Sequence, residues 1–188
     1  MLGNIYYGDQ NYVEARKFYE IASDNGNLYA SFMLGNIFYF GYGVEEDHEK
    51  ALKYFESSVK KLNSYSLFMI GNIYYFGSGV EKNYDKAKKY FELSSQYKNS
   101  NALFHLGNMY RDGFGGIQNL KIAVSYYKKS ANLNNSDAFF ELGNYYFYYK
   151  KKKDFYRALQ YYEKAANLQH SYASLMTGNI YYFGIEVL

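Results

Sequence analysis

The fold is decided by residues 30–55, which read ASFMLGNIFYFGYGVEEDHEKALKYF. The Gly-Asn pair that begins at Gly35 in this stretch also begins at Gly3, Gly71, Gly107, Gly143 and Gly178, in steps of 32, 36, 36, 36 and 35 residues. A second marker is an alanine that opens an aromatic segment, and it stands at Ala15, Ala51, Ala87, Ala123 and Ala158, each 20 residues before the next Gly-Asn pair. Two markers in one register indicate an array of repeats.

Each repeat divides into two predicted helices, A and B. Ala30, Leu34 and Phe38 follow each other at i, i+4 and i+8, which makes one apolar face of helix A. Helix B should begin after an Asn or Asp four residues before the marker alanine, because these residue types cap helices. The predicted caps are Asn11, Asp47, Asn83, Asn119 and Asp154.

Glycines and aromatic residues predict how the two helices meet. A mid-helix glycine costs about 1 kcal/mol relative to alanine, so its return in every repeat indicates a close helix contact. The loop between the helices carries Gly41 and Gly43 in the second repeat, which supply the positive φ that ends helix A. Two aromatic residues, Tyr54 and Phe55, follow the marker alanine, and we expect such pairs to pack between neighbouring repeats.

The order Ala30, Leu34-Gly35, Tyr39, Gly41-x-Gly43-Val44, Asp47, Lys50-Ala51 and an aromatic pair resembles the Sel1-like repeat, a relative of the tetratricopeptide repeat with a longer loop. The resemblance covers nearly the whole chain. It implies an all-α fold, an α/α solenoid forming a right-handed superhelix of about five helix-turn-helix repeats. It also implies a concave groove lined by the A helices and a role as an adaptor scaffold for protein complexes. We place the repeats at approximately 1–26, 27–62, 63–98, 99–134, 135–169 and 170–188 within one domain, 1–188, with the first and last repeats partial.

Composition and motifs exclude several classes of function. With no cysteine, thiol and zinc-thiolate chemistry is ruled out, and a net charge of +3 does not select a nucleic-acid or lipid partner. The three histidines, His48, His105 and His170, stand at unrelated positions in their repeats and form no catalytic or metal-binding motif. We therefore expect no enzyme activity, metal or cofactor. The sequence also shows no signal peptide or membrane span, which predicts a cytoplasmic protein.

The second face of helix A is the predicted partner-binding surface, and the resemblance places it on the concave wall. An asparagine follows each Gly, flanked by aromatic side chains, and its amide can both donate to and accept from the backbone of a bound protein segment. The predicted contact residues are Asn36, Asn72, Asn108, Asn144, Asn179, Phe32, Phe68, Phe104, Tyr39, Tyr75, Arg111 and Asp112.

Two alternatives stay open for this face. Duplication copies every residue, so the asparagines can equally well bond across adjacent A helices. In some tetratricopeptide domains the equivalent asparagine grips a C-terminal carboxylate together with a lysine. Here Phe32 and its equivalents stand on that turn, which favours a more apolar ligand. Arg111 and Asp112 replace an aromatic pair, either for a specific contact or as a charged pair with a neighbouring repeat.

A basic loop in the fifth repeat supports a second hypothesis. Lys150, Lys151, Lys152 and Lys153, with Arg157 one turn into the next helix, form the only concentrated charge. Such a run would bind RNA or a nucleic-acid-handling protein. Adaptor and inhibitor roles, self-association through the incomplete terminal repeats, and a longer array beyond either end remain open.

Overall fold

The computed structural model describes residues 2–59, 64–149 and 154–184. Within them no strand occurs, and the helices confirm the predicted all-α, α/α solenoid class. The helices are α1 (Leu2–Gly8), α2 (Tyr12–Asp24), α3 (Leu28–Phe40), α4 (His48–Ser58), α5 (Ser64–Phe76), α6 (Tyr84–Gln96), α7 (Ser100–Asp112), α8 (Leu120–Ala131), α9 (Ser136–Asn144), α10 (Phe155–Asn167) and α11 (Ser171–Tyr182). None of these helices has the length and apolar character needed to span a membrane.

The chain forms two compact units, residues 1–97 and residues 98–188. Odd-numbered helices are the A helices and even-numbered helices are the B helices. In the first unit, α1 to α6 pack consecutively, each against the next helix along the chain. In the second unit, α7 to α11 do the same. The single domain over residues 1–188 stays a prediction.

The predicted caps of helix B are confirmed in all five repeats. Each capping side chain accepts a hydrogen bond from the backbone N–H three residues later, at 2.9–3.3 Å. The cap residue also donates its own N–H to a carbonyl of helix A, for example Asp47 to Phe38 at 2.9 Å and Asn83 to Tyr74 at 2.9 Å. The cap therefore ties helix B to helix A in addition to starting it.

Helix A ends on a left-handed glycine where the sequence predicts one. Gly41, Gly77 and Gly113 have φ of 66°, 73° and 79°. The fifth repeat has no such glycine, and its helix A continues instead as a π-helical segment, Tyr145–Tyr149. The capping contact survives this change, because Asp154 still donates its N–H to the Tyr146 carbonyl, at 3.1 Å.

The aromatic pair of helix B contacts helix A of its own repeat, which the sequence did not predict, and Phe55 also shares a buried cluster with Ile70 and Ile73 of the next repeat. The first ring stacks on an aromatic ring of helix A, as Tyr54 does on Phe38, and the five such pairs have centroids 5.5–5.9 Å apart and planes within 3–12°. The second ring lies on the helix-A glycine, where a Cβ added at Gly35 would be 2.5 Å from Phe55 Cε1. The glycine is therefore required by the ring that covers it.

Candidate functional site

The predicted face lies on α3 and α5 in the first unit, and the same residue types flank its asparagine on both helices. On α3, Asn36 is half-buried, and the rings of Phe32 and Tyr39 lie 6.0 and 6.4 Å from Phe55. On α5, the rings of Phe68 and Tyr75 lie 5.8 and 6.1 Å from Phe91 of helix B. The flanking aromatic side chains thus belong partly to the core, which holds them in place beside the asparagine.

Other aromatic side chains of this face are open to solvent. Tyr29 and Phe40 on α3 are 53% and 48% exposed, and Tyr65 and Phe76 on α5 are 60% and 55% exposed. Tyr29 also borders a groove of about 500 Å³, which is lined by Leu2, Asn4 and Tyr19 among other uncharged residues. Exposed aromatic groups next to amides suit the recognition of a protein segment, because they combine apolar area with hydrogen bonding.

The first unit separates charge from this face. Helices α1, α3 and α5 contain no Asp, Glu, Lys, Arg or His, whereas their partners α2, α4 and α6 carry both signs of charge. In the second unit, α7 contains Arg111 and Asp112, and α9 contains Asp137 and Glu141. Helices α7 and α9 therefore differ in electrostatic character from α1, α3 and α5, whereas α11 of the second unit is uncharged as they are.

In the second unit, two of the asparagines, Asn108 and Asn144, are tied to their own repeats by tyrosine hydroxyls. Tyr127 of α8 donates to Asn108 Oδ1 at 2.8 Å, and Tyr162 of α10 donates to Asn144 Oδ1 at 2.9 Å. Burial raises the pKa of both tyrosines, so each hydroxyl keeps its proton. The amide of Asn144 also donates to Glu141, at 3.4 Å. These bonds give the asparagines a structural role, but through helix B and not across adjacent A helices.

The first repeat has the same bond, while the second and third repeats do not. Tyr19 donates to Asn4 at 2.9 Å, and burial raises the pKa of Tyr19 to about 12. In the second and third repeats the ring in this position is Phe55 or Phe91, which has no hydroxyl. The spacing of the repeat markers does not predict these hydrogen bonds. The second residue of the aromatic pair, which is Tyr in some repeats and Phe in others, is the sequence signal that could have predicted them.

Asn72 is the residue most affected by the missing hydroxyl. Its side chain is only 9% exposed, and its Oδ1 is buried with no hydrogen-bond partner in the described part of the chain. A buried acceptor without a donor costs about 1–3 kcal/mol. Asn72 therefore carries an unsatisfied acceptor that is sealed from solvent, on the helix that bears the predicted face.

The charged residues of the fourth repeat form an internal network. Arg111 binds Asp112 through Nε at 2.8 Å and through one terminal nitrogen at 3.0 Å, and its other terminal nitrogen binds Glu141 of the next repeat at 2.9 Å. The hydrogen bond to Asp112 is the main cause of the raised pKa of Arg111. These contacts favour the pairing interpretation of Arg111 over a partner-binding one.

The remaining predicted contact residues lie as follows. Phe104 is half-buried with its ring 5.9 Å from Tyr127, and Asn179 is half-buried on α11. Beside Asn179 on α11, Tyr172 and Tyr182 are 68% and 83% exposed. Each unit thus holds part of the predicted face; one asparagine ladder running through both stays a prediction.

The basic loop is only partly within the described residues. Lys150, Lys151, Lys152 and Lys153 lie outside them, and Arg157 is exposed, 3.3 Å from Asp154 and with its guanidinium 5.7 Å from the Tyr146 ring centroid. Arg157 lines a groove of about 360 Å³ together with Lys121 and Lys128 of α8. Sequence reasoning missed these two lysines, although their spacing of seven residues places them on one side of α8.

The histidines have structural surroundings in the described residues. His170 caps α11, since its Nδ1 accepts from the Ala173 N–H at 3.1 Å, and its Nε2 lies 3.3 Å from Asp137 Oδ1. Burial lowers the pKa of His105 to about 4. Across residues 2–59, 64–149 and 154–184, no group of three or more His, Asp or Glu side chains is arranged to hold a metal ion.

Comparison with known proteins identifies the repeat. The family model described as the Sel1 repeat matches residues 1–27, 28–61, 64–96, 100–135 and 136–170. A search of curated proteins finds no match.

Solved structures share the fold. A Sel1 repeat protein from Oxalobacter formigenes is 26% identical with a TM-score of 0.89, over 97% of this chain and 75% of that one. A protective antigen of uropathogenic Escherichia coli that displays an SLR fold is 29% identical with a TM-score of 0.80, over 91% of this chain but 37% of its own. An immunity protein from Pseudomonas aeruginosa is 20% identical with a TM-score of 0.59, over 87% of this chain and 65% of that one, a likeness of fold alone.

Proposed function

The chain belongs to the Sel1 repeat family, and on that premise we propose that it is a non-enzymatic scaffold that binds a partner protein on the faces of its A helices. The family fold is a repeat scaffold for protein interactions. The observation that carries the proposal is the repeated exposure of aromatic side chains beside an asparagine on α3 and α5.

Physical reasons favour a protein ligand on this face. The apolar area of exposed tyrosine and phenylalanine rings is removed from water only when a partner covers them. Each tyrosine also brings a hydroxyl for hydrogen bonding. The rings of Phe32 and Tyr39 are held against the buried Phe55, so little side-chain freedom remains to be lost on binding. A face prepared in this way recognises shape and apolar area more than charge.

The scaffold would act either as an adaptor or as an inhibitor. An adaptor holds two partners at once, whereas an inhibitor covers the working surface of one. The likeness to an immunity protein concerns the fold and does not separate these roles. Capture of two different partners in one complex supports the adaptor role. Capture of a single partner whose activity falls on binding supports the inhibitor role.

The test is partner capture from the native cell with chemical cross-linking and mass spectrometry. We expect the double variant Tyr29→Ala, Tyr65→Ala to lose the captured partner while its helicity is unchanged, since both side chains are more than half exposed. The matched control is Tyr156→Ala on helix B, which removes a ring of similar exposure, 54%, from another surface. Undiminished capture by the double variant would contradict the proposal.

A second candidate function rests on the groove between Lys121, Lys128 and Arg157, whose wall includes Tyr145 and Tyr146. In a groove of this kind the cations bind the phosphates of a single strand and the aromatic rings stack on its bases, so this groove supports RNA binding. The test is a gel shift with single-stranded RNA at low and moderate salt. The double variant Lys121→Glu, Lys128→Glu should abolish any shift, and the absence of a shift at low salt rules this function out.

A further inference from the structure

We propose that the chain associates with itself head to tail, with helix α11 of one copy replacing helix α1 on helix α2 of a second copy. The occupant of the groove beside α1 is then a second copy of this chain, and the inference does not depend on the proposed scaffold function. Three features of the described residues support it: the groove, the sequence that α11 shares with α1, and the uncovered face of α11.

The groove of about 500 Å³ lies where a longer helix A would continue. Helix α1 begins at Leu2, one residue before Gly3, whereas α3 begins at Leu28, seven residues before Gly35. The groove is walled by the first residues of α1 and α3 and by the second half of α2, which includes Tyr19. None of the described residues that line it is charged, so the groove suits the uncharged first turns of another helix A.

Helix α11 repeats the sequence of α1. Residues 178–182 read GNIYY, and residues 3–7 read the same. Helix α11 has 12 residues, whereas α1 has seven, and the additional residues of α11 precede the shared segment. They therefore form the turns for which the groove beside α1 has room. Neither helix contains Asp, Glu, Lys, Arg or His, so exchanging one for the other brings no charge into the groove.

The shared segment carries the residues with which α1 contacts α2. Tyr19 of α2 covers Gly3, where an added Cβ would be 2.8 Å from Cε1, and its hydroxyl donates to Asn4 at 2.9 Å. Tyr6 stacks on Phe18 of α2 with ring centroids 5.6 Å apart. The residues of α11 that match Gly3, Asn4 and Tyr6 are Gly178, Asn179 and Tyr181. An exchange of α11 for α1 therefore keeps these contacts and adds those of the extra turns.

The face of α11 that would make these contacts is uncovered. No atom of the described chain lies within 4 Å of a Cβ added at Gly178, whereas a ring covers the equivalent glycine in each of the other five repeats. Tyr181 is 64% exposed, while Phe38, its equivalent on α3, is 6% exposed. The Tyr181 hydroxyl donates to Glu163 of α10 at 2.7 Å, which holds the ring in place. Helix α11 thus has the surface of a helix A that receives a helix B, and within the described residues no helix B covers it.

The exchange joins α11 of one copy to α2 of the next. Such a heterologous contact produces either open chains of copies or a closed ring. Because α11 remakes the contacts of the α1 that it displaces, the net gain comes from the turns added in the groove and from the aromatic area of α11 that leaves water. Mass action makes the association depend on concentration, so at low concentration the chain is a monomer with Gly178 uncovered.

The test is the mass of the full chain by light scattering at a low and a high concentration, followed by amide hydrogen exchange under both conditions. We expect a monomer at low concentration and a mass of two or more copies at high concentration. The amides of α11 should then gain protection and those of α1 should lose it, because α1 is released. A monomer at both concentrations, or an association in which α1 keeps its protection, would overturn the inference.

Leucine at the two matching glycines should have opposite effects on the association. Gly178→Leu places a side chain where Tyr19 of the second copy must lie, so this variant should stay monomeric at both concentrations. Its helicity should match that of the parent, because the space beside Gly178 is open in the described chain. Gly3→Leu pushes α1 away from Tyr19 and should therefore increase the associated fraction at a given concentration.

The double variant Gly3→Leu, Gly178→Leu is the matched control. Displacement of α1 leaves apolar surface of α2 bare in both Gly3 variants, but only the single variant has an α11 that fits it. The double variant should therefore be monomeric. If it associates as strongly as Gly3→Leu, or if Gly178→Leu alone associates like the parent, α11 is not the occupant and the inference fails.

Discussion

Replacing Gly71 with alanine tests the packing that organises every repeat. A Cβ at this position would lie 2.6 Å from Cδ1 and Cε1 of Phe91, whereas carbon atoms in contact are normally about 3.5–4.0 Å apart. Phe91 is fully buried, so the ring cannot swing into solvent and the two helices must separate. Such overpacking costs about 1–3 kcal/mol.

The sign of the effect follows from two opposing contributions. Alanine in a helix interior gains about 0.5–1 kcal/mol over glycine. Set against the overpacking cost, this gain leaves Gly71→Ala destabilised by up to about 2.5 kcal/mol, and Gly71→Leu by more. Gly178 provides the matched control, since it also precedes an asparagine in an A helix but has no atom within 4 Å of an added Cβ. Gly178→Ala should therefore be stabilising by about 0.5–1 kcal/mol.

Urea unfolding followed by circular dichroism measures both variants, and an unchanged m value shows that the midpoints report stability. The reasoning predicts shifts of opposite sign for the same chemical change. A Gly71→Ala protein at least as stable as the parent would refute it, because the glycine would then be a relic of duplication and not a requirement of the ring.

Three further predictions concern a cap, a histidine and a buried hydrogen bond. Asn83→Ala should lower the free energy of unfolding by about 1 kcal/mol because the Lys86 N–H loses its acceptor, while Asn83→Asp keeps the cap; urea midpoints compare the two. Acid should destabilise the protein through His105, because its pKa in the folded chain, about 4, lies below its pKa in the unfolded chain. Lowering the pH from about 6.5 to 4 therefore protonates mainly the unfolded chain and lowers the free energy of unfolding by up to about 3 kcal/mol. His105→Met, the residue that four of the other five repeats carry there, should flatten that part of the stability profile, and an unaltered acid limb would show that other groups cause it. Tyr127→Phe should lower the free energy of unfolding, measured by thermal melting, by about 1 kcal/mol because the Asn108 oxygen loses its donor. An unchanged free energy would mean that water replaces the hydroxyl.

The two units use the same repeat for different surfaces. In residues 98–188, helices α7 and α9 carry Arg111, Asp112 and Glu141 in one hydrogen-bonded network, and tyrosines satisfy Asn108 and Asn144. In residues 1–97, the A helices are uncharged and Asn72 lacks its donor. Small differences within a copied unit, such as Phe91 in place of a tyrosine, therefore decide whether the asparagine of a repeat is hydrogen-bonded.

The sequence by itself determined the repeat, the helical class and the start of each B helix. These features depend on local chemistry: periodic apolar residues form a helix face, an Asn or Asp side chain caps the residues that follow it, and glycine permits the left-handed turn at Gly41. The five caps predicted from spacing for the B helices are the caps that these helices have in the structure.

Only the tertiary structure decided what each ring and each amide contacts. The second ring of the aromatic pair contacts its own repeat because the bare surface of the helix-A glycine receives it, a contact between residues about 20 positions apart. Whether an asparagine is satisfied depends on the hydroxyl at the tip of that ring, and the grouping of Lys121 and Lys128 with Arg157 depends on two helices meeting. Side chains distant in sequence meet only after the helices have packed, so local patterns do not contain these contacts.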